Sequence, residues 1–162
     1  MTLSTWQSIL SKFIIQSHTR NLKRALYPIE FDRFEVKISF GMGQPSRIPW
    51  IAFIPNGMQI YNGFYPIYLY YKDHQTLILA YGIGELANTS WPSEIAKQNK
   101  TISDYFNMDT CRYGNSLVFK SYKIRMNQEK VDYIYDNTKK RVTEQNMESD
   151  LDSLLLYYRK LI

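Results

Sequence analysis

A chain of 162 residues with 44% hydrophobic and 15% aromatic content has enough apolar surface for one self-sufficient core, which excludes intrinsic disorder. No apolar run reaches the 18 residues of a membrane-spanning helix, no signal-peptide block opens the chain, and the lone Cys111 excludes a disulfide framework; a cytoplasmic protein without membrane contact is expected. The net charge of +5 is uneven: residues 1–128 hold 14 bases and 8 acids (+6), residues 129–162 hold 6 bases and 7 acids (−1).

In chain order, residues 4–26 read as an amphipathic helix, with Trp6, Ile9, Leu10, Phe13 and Ile14 at helical spacing and Ser4 or Thr5 as the cap. Arg20, Lys23 and Arg24 then lie on its last turns, where cations complement the helix dipole, a reading preferred over contact with DNA. Tyr27-Pro28 ends the helix. Phe34, Val36, Ile38 and Phe40 alternate with Glu35, Lys37 and Ser39, the pattern of a half-buried strand. A loop follows from Gly41 to Arg47, then a strand from Pro49 to Ile54. Asn56-Gly57 and Asn62-Gly63 are turn dipeptides. Tyr65–Lys72 and Thr76–Tyr81, joined by Asp73-His74-Gln75, form a hairpin covered on both faces. Residues 83–100 read as irregular around Trp91-Pro92. Thr101 with Asp104 resembles a capping box for a short helix through Phe106. Ser116–Ile124 is a fifth strand. Ser149–Leu161 is a final helix with Leu151, Leu154, Leu155, Tyr158 and Leu161 on one stripe. The fold class is α+β in a single domain over residues 1–162: a mostly antiparallel central sheet flanked by N- and C-terminal helices.

Most enzymatic chemistry lacks its residues. One Cys and the distant, surface-type His18 and His74 cannot assemble a metal site. There is no phosphate-cradling Gly-x-x-x-x-Gly-Lys-Ser/Thr loop, and neither Gly41-Met42-Gly43 nor Gly82-Ile83-Gly84 continues into a dinucleotide fingerprint. No Gly-x-Ser-x-Gly is present, although a dispersed Ser-His-Asp set stays open. Glu35-Val36-Lys37 is half of a nuclease metal motif, but only Glu30 and Asp32 precede it, too close to serve as the partner carboxylate. The expectation is a non-enzyme without catalytic residues, metal or cofactor.

A different constellation is present. Between Glu35 and Asp73 no acid occurs, and Lys37, Arg47 and Lys72 share that window with Trp50, Tyr61, Tyr65, Tyr68, Tyr70 and Tyr71. Between Asp109 and Glu129 no acid occurs either, and Arg112, Lys120, Lys123 and Arg125 accompany Tyr113, Phe119 and Tyr122. The acids gather instead at Glu144, Glu148, Asp150 and Asp152. Cations hold phosphates and aromatic faces stack on bases, so this mixture suits a nucleic acid with unstacked bases. Chance clustering, with the tyrosines as core residues, is the alternative.

Ser39-Phe40-Gly41-x-Gly43, Ile48-Pro49-Trp50-x-Ala52-Phe53, Asn62-Gly63-x-Tyr65-Pro66, Leu69-Tyr70-Tyr71-Lys72-Asp73, Leu79-Ala80-Tyr81-Gly82-Ile83, Lys100-Thr101-Ile102-x-x-Tyr105-Phe106 and Tyr113-Gly114 follow one another in order. Together they resemble the N-terminal DNA-binding domains of the McrB family, the DNA-reading, GTP-hydrolysing subunits of McrBC modification-dependent restriction systems. The resemblance runs from residue 6 to about 124. It implies binding of double-stranded DNA that carries a modified cytosine (5-methyl, 5-hydroxymethyl or N4-methyl), typically after a purine, with the modified base flipped into a pocket. Carried over by motif, that pocket comprises Trp50, Leu69 and Tyr113: aromatic faces to replace lost stacking and an apolar wall for the methyl group. Met42, at a loop position commonly aromatic in a relative of the family, becomes the candidate wedge, with Arg47 and Tyr65 as loop contacts. Arg47, Lys72, Arg112, Lys120 and Lys123 are candidate phosphate contacts. The implied partners are an AAA+ GTPase domain in a longer chain and a separate McrC-like nuclease subunit. A sequence-tolerant single-stranded DNA or RNA binder remains the competing function.

Overall fold

The computed structural model describes residues 5–58, 63–84, 91–109 and 111–162. Asn62 and Tyr61 lie outside them, as do residues 85–90 of the stretch expected to be irregular. Seven antiparallel strands form one sheet in chain order: β1 (Glu30–Phe31), β2 (Phe34–Ser39), β3 (Trp50–Ile54), β4 (Phe64–Tyr71), β5 (Thr76–Ile83), β6 (Leu117–Asn127) and β7 (Lys130–Tyr135). The helices are α1 (Trp6–Ser17), α2 (Ser93–Gln98), α3 (Ile102–Phe106) and α4 (Glu144–Arg159). The α+β class with a mostly antiparallel sheet and flanking terminal helices is borne out. No helix among the described residues is long and apolar enough to cross a membrane.

Several boundaries differ from the sequence reading, each for a local reason. Thr5 does cap α1, its side chain accepting from the Ser8 amide. The helix ends at Ser17 rather than near residue 26. The Gln16 side chain turns back there and donates to the carbonyls of Asn21 and Lys23, at 3.0 and 2.7 Å, giving the chain partners outside a helix. Arg20, Lys23 and Arg24 therefore do not complement a helix end. Strands β1 and β7 are additions to the sequence reading. The β6–β7 turn has no Asn-Gly; Gln128 takes the left-handed conformation itself, at φ 58°. Helix α2 occupies part of the stretch read as irregular. Helix α4 begins at Glu144, where Thr143 and Asn146 cap each other reciprocally. Thr101 caps α3 as anticipated, accepting from the Asp104 amide.

Helices α1 and α4 cover one face of the sheet. Trp6 packs edge-on against Phe31 and Phe53, Phe13 meets Phe40, and Tyr158 meets Phe34 and Phe64. Three of the four C-terminal acids, Glu144, Glu148 and Asp150, are engaged on this side. Glu148 accepts the Trp6 amide at 2.7 Å, Glu144 accepts the Thr5 hydroxyl, and Asp150 accepts the hydroxyls of Tyr122 and Tyr135, both at 2.7 Å.

Tyr68 lies fully buried in this layer, stacked near Trp6, and its hydroxyl has no hydrogen-bond partner among the described residues. Burial pushes its phenol pKa well up, and nearby Asp150 and Glu148 push the same way. A buried hydroxyl without a partner costs about 1–3 kcal/mol. Tyr68→Phe should therefore stabilise the fold by about 1 kcal/mol, read as a higher urea midpoint with unchanged slope; a lower midpoint would mean that the hydroxyl is satisfied.

Candidate nucleic-acid interface

The site is built on the sheet face away from α1 and α4. Trp50 pairs with Ser39 on β2 and with Leu69 on β4, and Tyr65 pairs with Gly82 on β5. Side chains two apart on a strand share a face, so Trp50, Tyr65, Ile67 and Leu69 stand together. Gly82 contributes no side chain and leaves a hollow in front of them. A Cβ there would meet Ile67 Cγ2 at 2.6 Å and the Tyr65 carbonyl at 2.9 Å.

Two loops wall the hollow. The first follows β2. The Ser46 amide closes it onto the Phe40 carbonyl at 2.8 Å, and Gly41 sits at φ 125°, where a Cβ would collide with the Gln44 carbonyl. Only glycine meets that demand. Met42 stands at the loop's crest, 96% exposed. The second loop follows α3. Gly114 presses against Ser103 and the Cys111 carbonyl, leaving no room for a side chain. Tyr113 beside it takes the left-handed conformation at φ 61°, a strained state that a braced loop can hold. One brace is Tyr71, whose hydroxyl donates to the Arg112 carbonyl at 2.9 Å. Burial, first of all, holds the Tyr71 phenol pKa far above its usual value, so it remains a donor. The Arg112 guanidinium lies 5.0 Å over the Tyr113 ring.

Between these walls is a cavity of about 450 Å³, within the usual size of small-ligand pockets. Trp50, Leu69, Tyr113, Tyr65 and Met42 all line it, and so does Arg112, the one charged residue of its lining among the described residues. Ser39, Gln44, Ser46 and Ser116 add polar edges that the sequence reading did not single out. Ser39 is two residues ahead of Gly41 in the quoted motif, but its place opposite Trp50 depends on strand register.

The other anticipated cations are elsewhere. Arg47 is exposed just past the first loop. The Lys72 ammonium donates to the Ser17 carbonyl at 3.0 Å, closing the end of α1 on the helix side of the sheet. Desolvation lowers its pKa, against the pull of Asp73. Lys123 donates to Thr76 Oγ1 and the His74 carbonyl, and Lys120 lies over the Phe119 ring. None of these four lines the cavity. No group of His, Cys, Asp or Glu among the described residues could hold a metal ion.

Residues 3–162 match the model of the MrcB-like N-terminal domain family. The chain belongs to that family. The resemblance carried by the ordered motifs from Ser39 to Gly114 is thereby borne out. The chain is also 38% identical, over 127 residues, to the type IV methyl-directed restriction enzyme EcoKMcrB subunit of Escherichia coli (strain K12). That match covers 73% of this chain and 27% of the subunit. This MrcB-like domain thus corresponds to little more than a quarter of its relative.

Proposed function

We propose that this MrcB-like domain binds double-stranded DNA containing a modified cytosine after a purine and takes the modified base into the cavity between Trp50, Leu69 and Tyr113. One observation carries the reading: one hollow, whose lining among the described residues holds no acid, combines three aromatic rings, an apolar wall, polar edges and one cation at its rim. A flipped base needs a flat partner to replace its stack, apolar cover for its methyl group and polar atoms along its edge. Met42, raised on its loop, is the side chain to enter the gap left in the duplex, with Arg47 beside it. Arg112 is placed to meet a phosphate at the rim. Lys72, Lys120 and Lys123 are weaker contacts in this reading, since none of them lines the cavity and the Lys72 and Lys123 ammoniums are engaged within the fold.

The domain itself performs no chemistry in this proposal. It serves as the recognition module of a modification-dependent restriction system, in which an AAA+ GTPase domain and an McrC-like nuclease subunit supply hydrolysis and cleavage. The relative's designation as a methyl-directed restriction enzyme, of which the match covers only a part, supports that division of labour.

The deciding experiment is competition binding with duplexes identical except for cytosine, 5-methylcytosine, 5-hydroxymethylcytosine or N4-methylcytosine. Burying one methyl group is worth about 0.8 kcal/mol, so a modified duplex should be preferred by about fourfold or more. Equal binding of modified and unmodified duplexes, with single strands preferred over both, would instead establish the sequence-tolerant single-strand binder.

A further inference from the structure

The first 29 residues contain no acid, yet they hold Lys12, Arg20, Lys23 and Arg24. Because α1 ends at Ser17, three of these bases lie on the segment that follows it, and that segment runs along the outer edge of β2. The Arg24 guanidinium donates to the Ile38 carbonyl at 3.2 Å, and the Val36 amide donates to the Ile29 carbonyl at 2.9 Å. Ile38 is adjacent to Ser39, which lines the cavity. Neighbouring strands are about 5 Å apart, so this edge borders the site one strand beyond Trp50.

The segment is organised around Gln16. Its amide nitrogen donates to the carbonyls of Asn21 and Lys23, and its amide oxygen accepts the Tyr27 hydroxyl at 2.9 Å. Thr19 Oγ1 donates to the Gln16 carbonyl and accepts the Asn21 amide, while Asn21 Oδ1 accepts the Lys23 amide. Lys12 and Arg24 are engaged inside this scaffold, on the Leu26 and Ile38 carbonyls. Arg20 and Lys23 are exposed on it. On β2 itself the acid, Glu35, lies toward the far end and pairs with Lys37 at 3.9 Å. A cation on a braced loop loses less freedom on meeting a phosphate than one on a loose loop.

We propose that the Gln16-braced segment, through Arg20 and Lys23, is a second DNA-binding element that grips the phosphate backbone of the duplex beside the cavity. The inference rests on the DNA-binding reading. A duplex seated by one base in the cavity must continue past an edge of the sheet, and this edge offers two exposed cations on a braced segment. The element reads no base; it adds affinity and register to whatever the cavity selects.

The test is the salt dependence of binding for the parent domain and for Arg20→Ala/Lys23→Ala, on methylated and unmethylated duplexes alike. Removing one cation from a phosphate should flatten the slope of log K against log[salt] by about 0.9, so the slope of the double variant should be shallower by about 2. The ratio of methylated to unmethylated affinity should stay as in the parent. Charge reversal, Arg20→Glu/Lys23→Glu, should weaken binding more than the alanine pair does. Both positions are exposed, and circular dichroism checks the fold; if the alanine pair misfolds, Arg20→Gln and Lys23→Gln are measured singly, each expected to flatten the slope by about 0.9. An unchanged slope overturns the second DNA-binding element, as does a parent that binds no duplex. A parent without methyl preference whose slope still falls in the variant overturns the cavity reading and leaves this element standing.

Discussion

Tyr113→Ala should weaken binding to a methylated duplex by about 1–3 kcal/mol, between about fivefold and 150-fold. One base–aromatic stack is worth that much, and Tyr113 is the aromatic that a loop, rather than the sheet, brings to the cavity. The substitution leaves the loop's anchors in place: Gly114 against Ser103, and the Tyr71 hydroxyl on the Arg112 carbonyl. Alanine is strained about as much as tyrosine in the left-handed conformation, so stability should change little. Tyr113→Phe keeps the ring and should bind nearly as the parent does. Binding to an unmethylated duplex should fall less, because that complex uses the cavity less. A folded Tyr113→Ala domain with parental affinity for the methylated duplex would remove Tyr113 from the pocket. Trp50→Ala should cost a similar amount, but Trp50 packs against the core, so its circular dichroism spectrum must be checked first.

Met42→Gly should lose both affinity and the fluorescence rise of a 2-aminopurine placed at the flipped position. Extruding a base sacrifices pairing and stacking worth a few kcal/mol, and the flipped state is populated only if something fills the gap. Met42 is the exposed apolar side chain of the cavity rim. It sits between Gly41 at φ 125° and Gly43 at φ 75°, on a loop closed at its base by Ser46. An unbranched apolar side chain raised in this way can enter between base steps. An aromatic side chain stacks better, so Met42→Tyr should bind the methylated duplex as tightly as the parent or more tightly. If Met42→Gly keeps both the affinity and the fluorescence signal, another loop fills the gap.

Strands β2 to β6 and the existence of α1 and α4 are legible in the sequence, because each buries a face whose period shows in the order of residues. The unbroken apolar run of β4 announces a strand covered on both sides, and Tyr65–Tyr71 are indeed buried throughout. The motifs from Ser39 to Gly114 also carry family membership, since their order survives without coordinates. Other features arise between segments distant in the chain. The end of α1 depends on which carbonyls the Gln16 amide reaches. The fates of Lys72 and Lys123 depend on a backbone carbonyl and on a hydroxyl of another strand, which their own sequence windows do not advertise, so an acid-free window could not tell a lysine facing solvent from one closing a helix. The cavity itself requires the register that sets Trp50 against Leu69 and Tyr65 against Gly82, together with a left-handed backbone at a residue other than glycine. A one-residue slip of β4 would turn Leu69 and Tyr65 to the helix side. The composition therefore determined what kind of residues were available for a site, and the pairing of strands determined which of them meet.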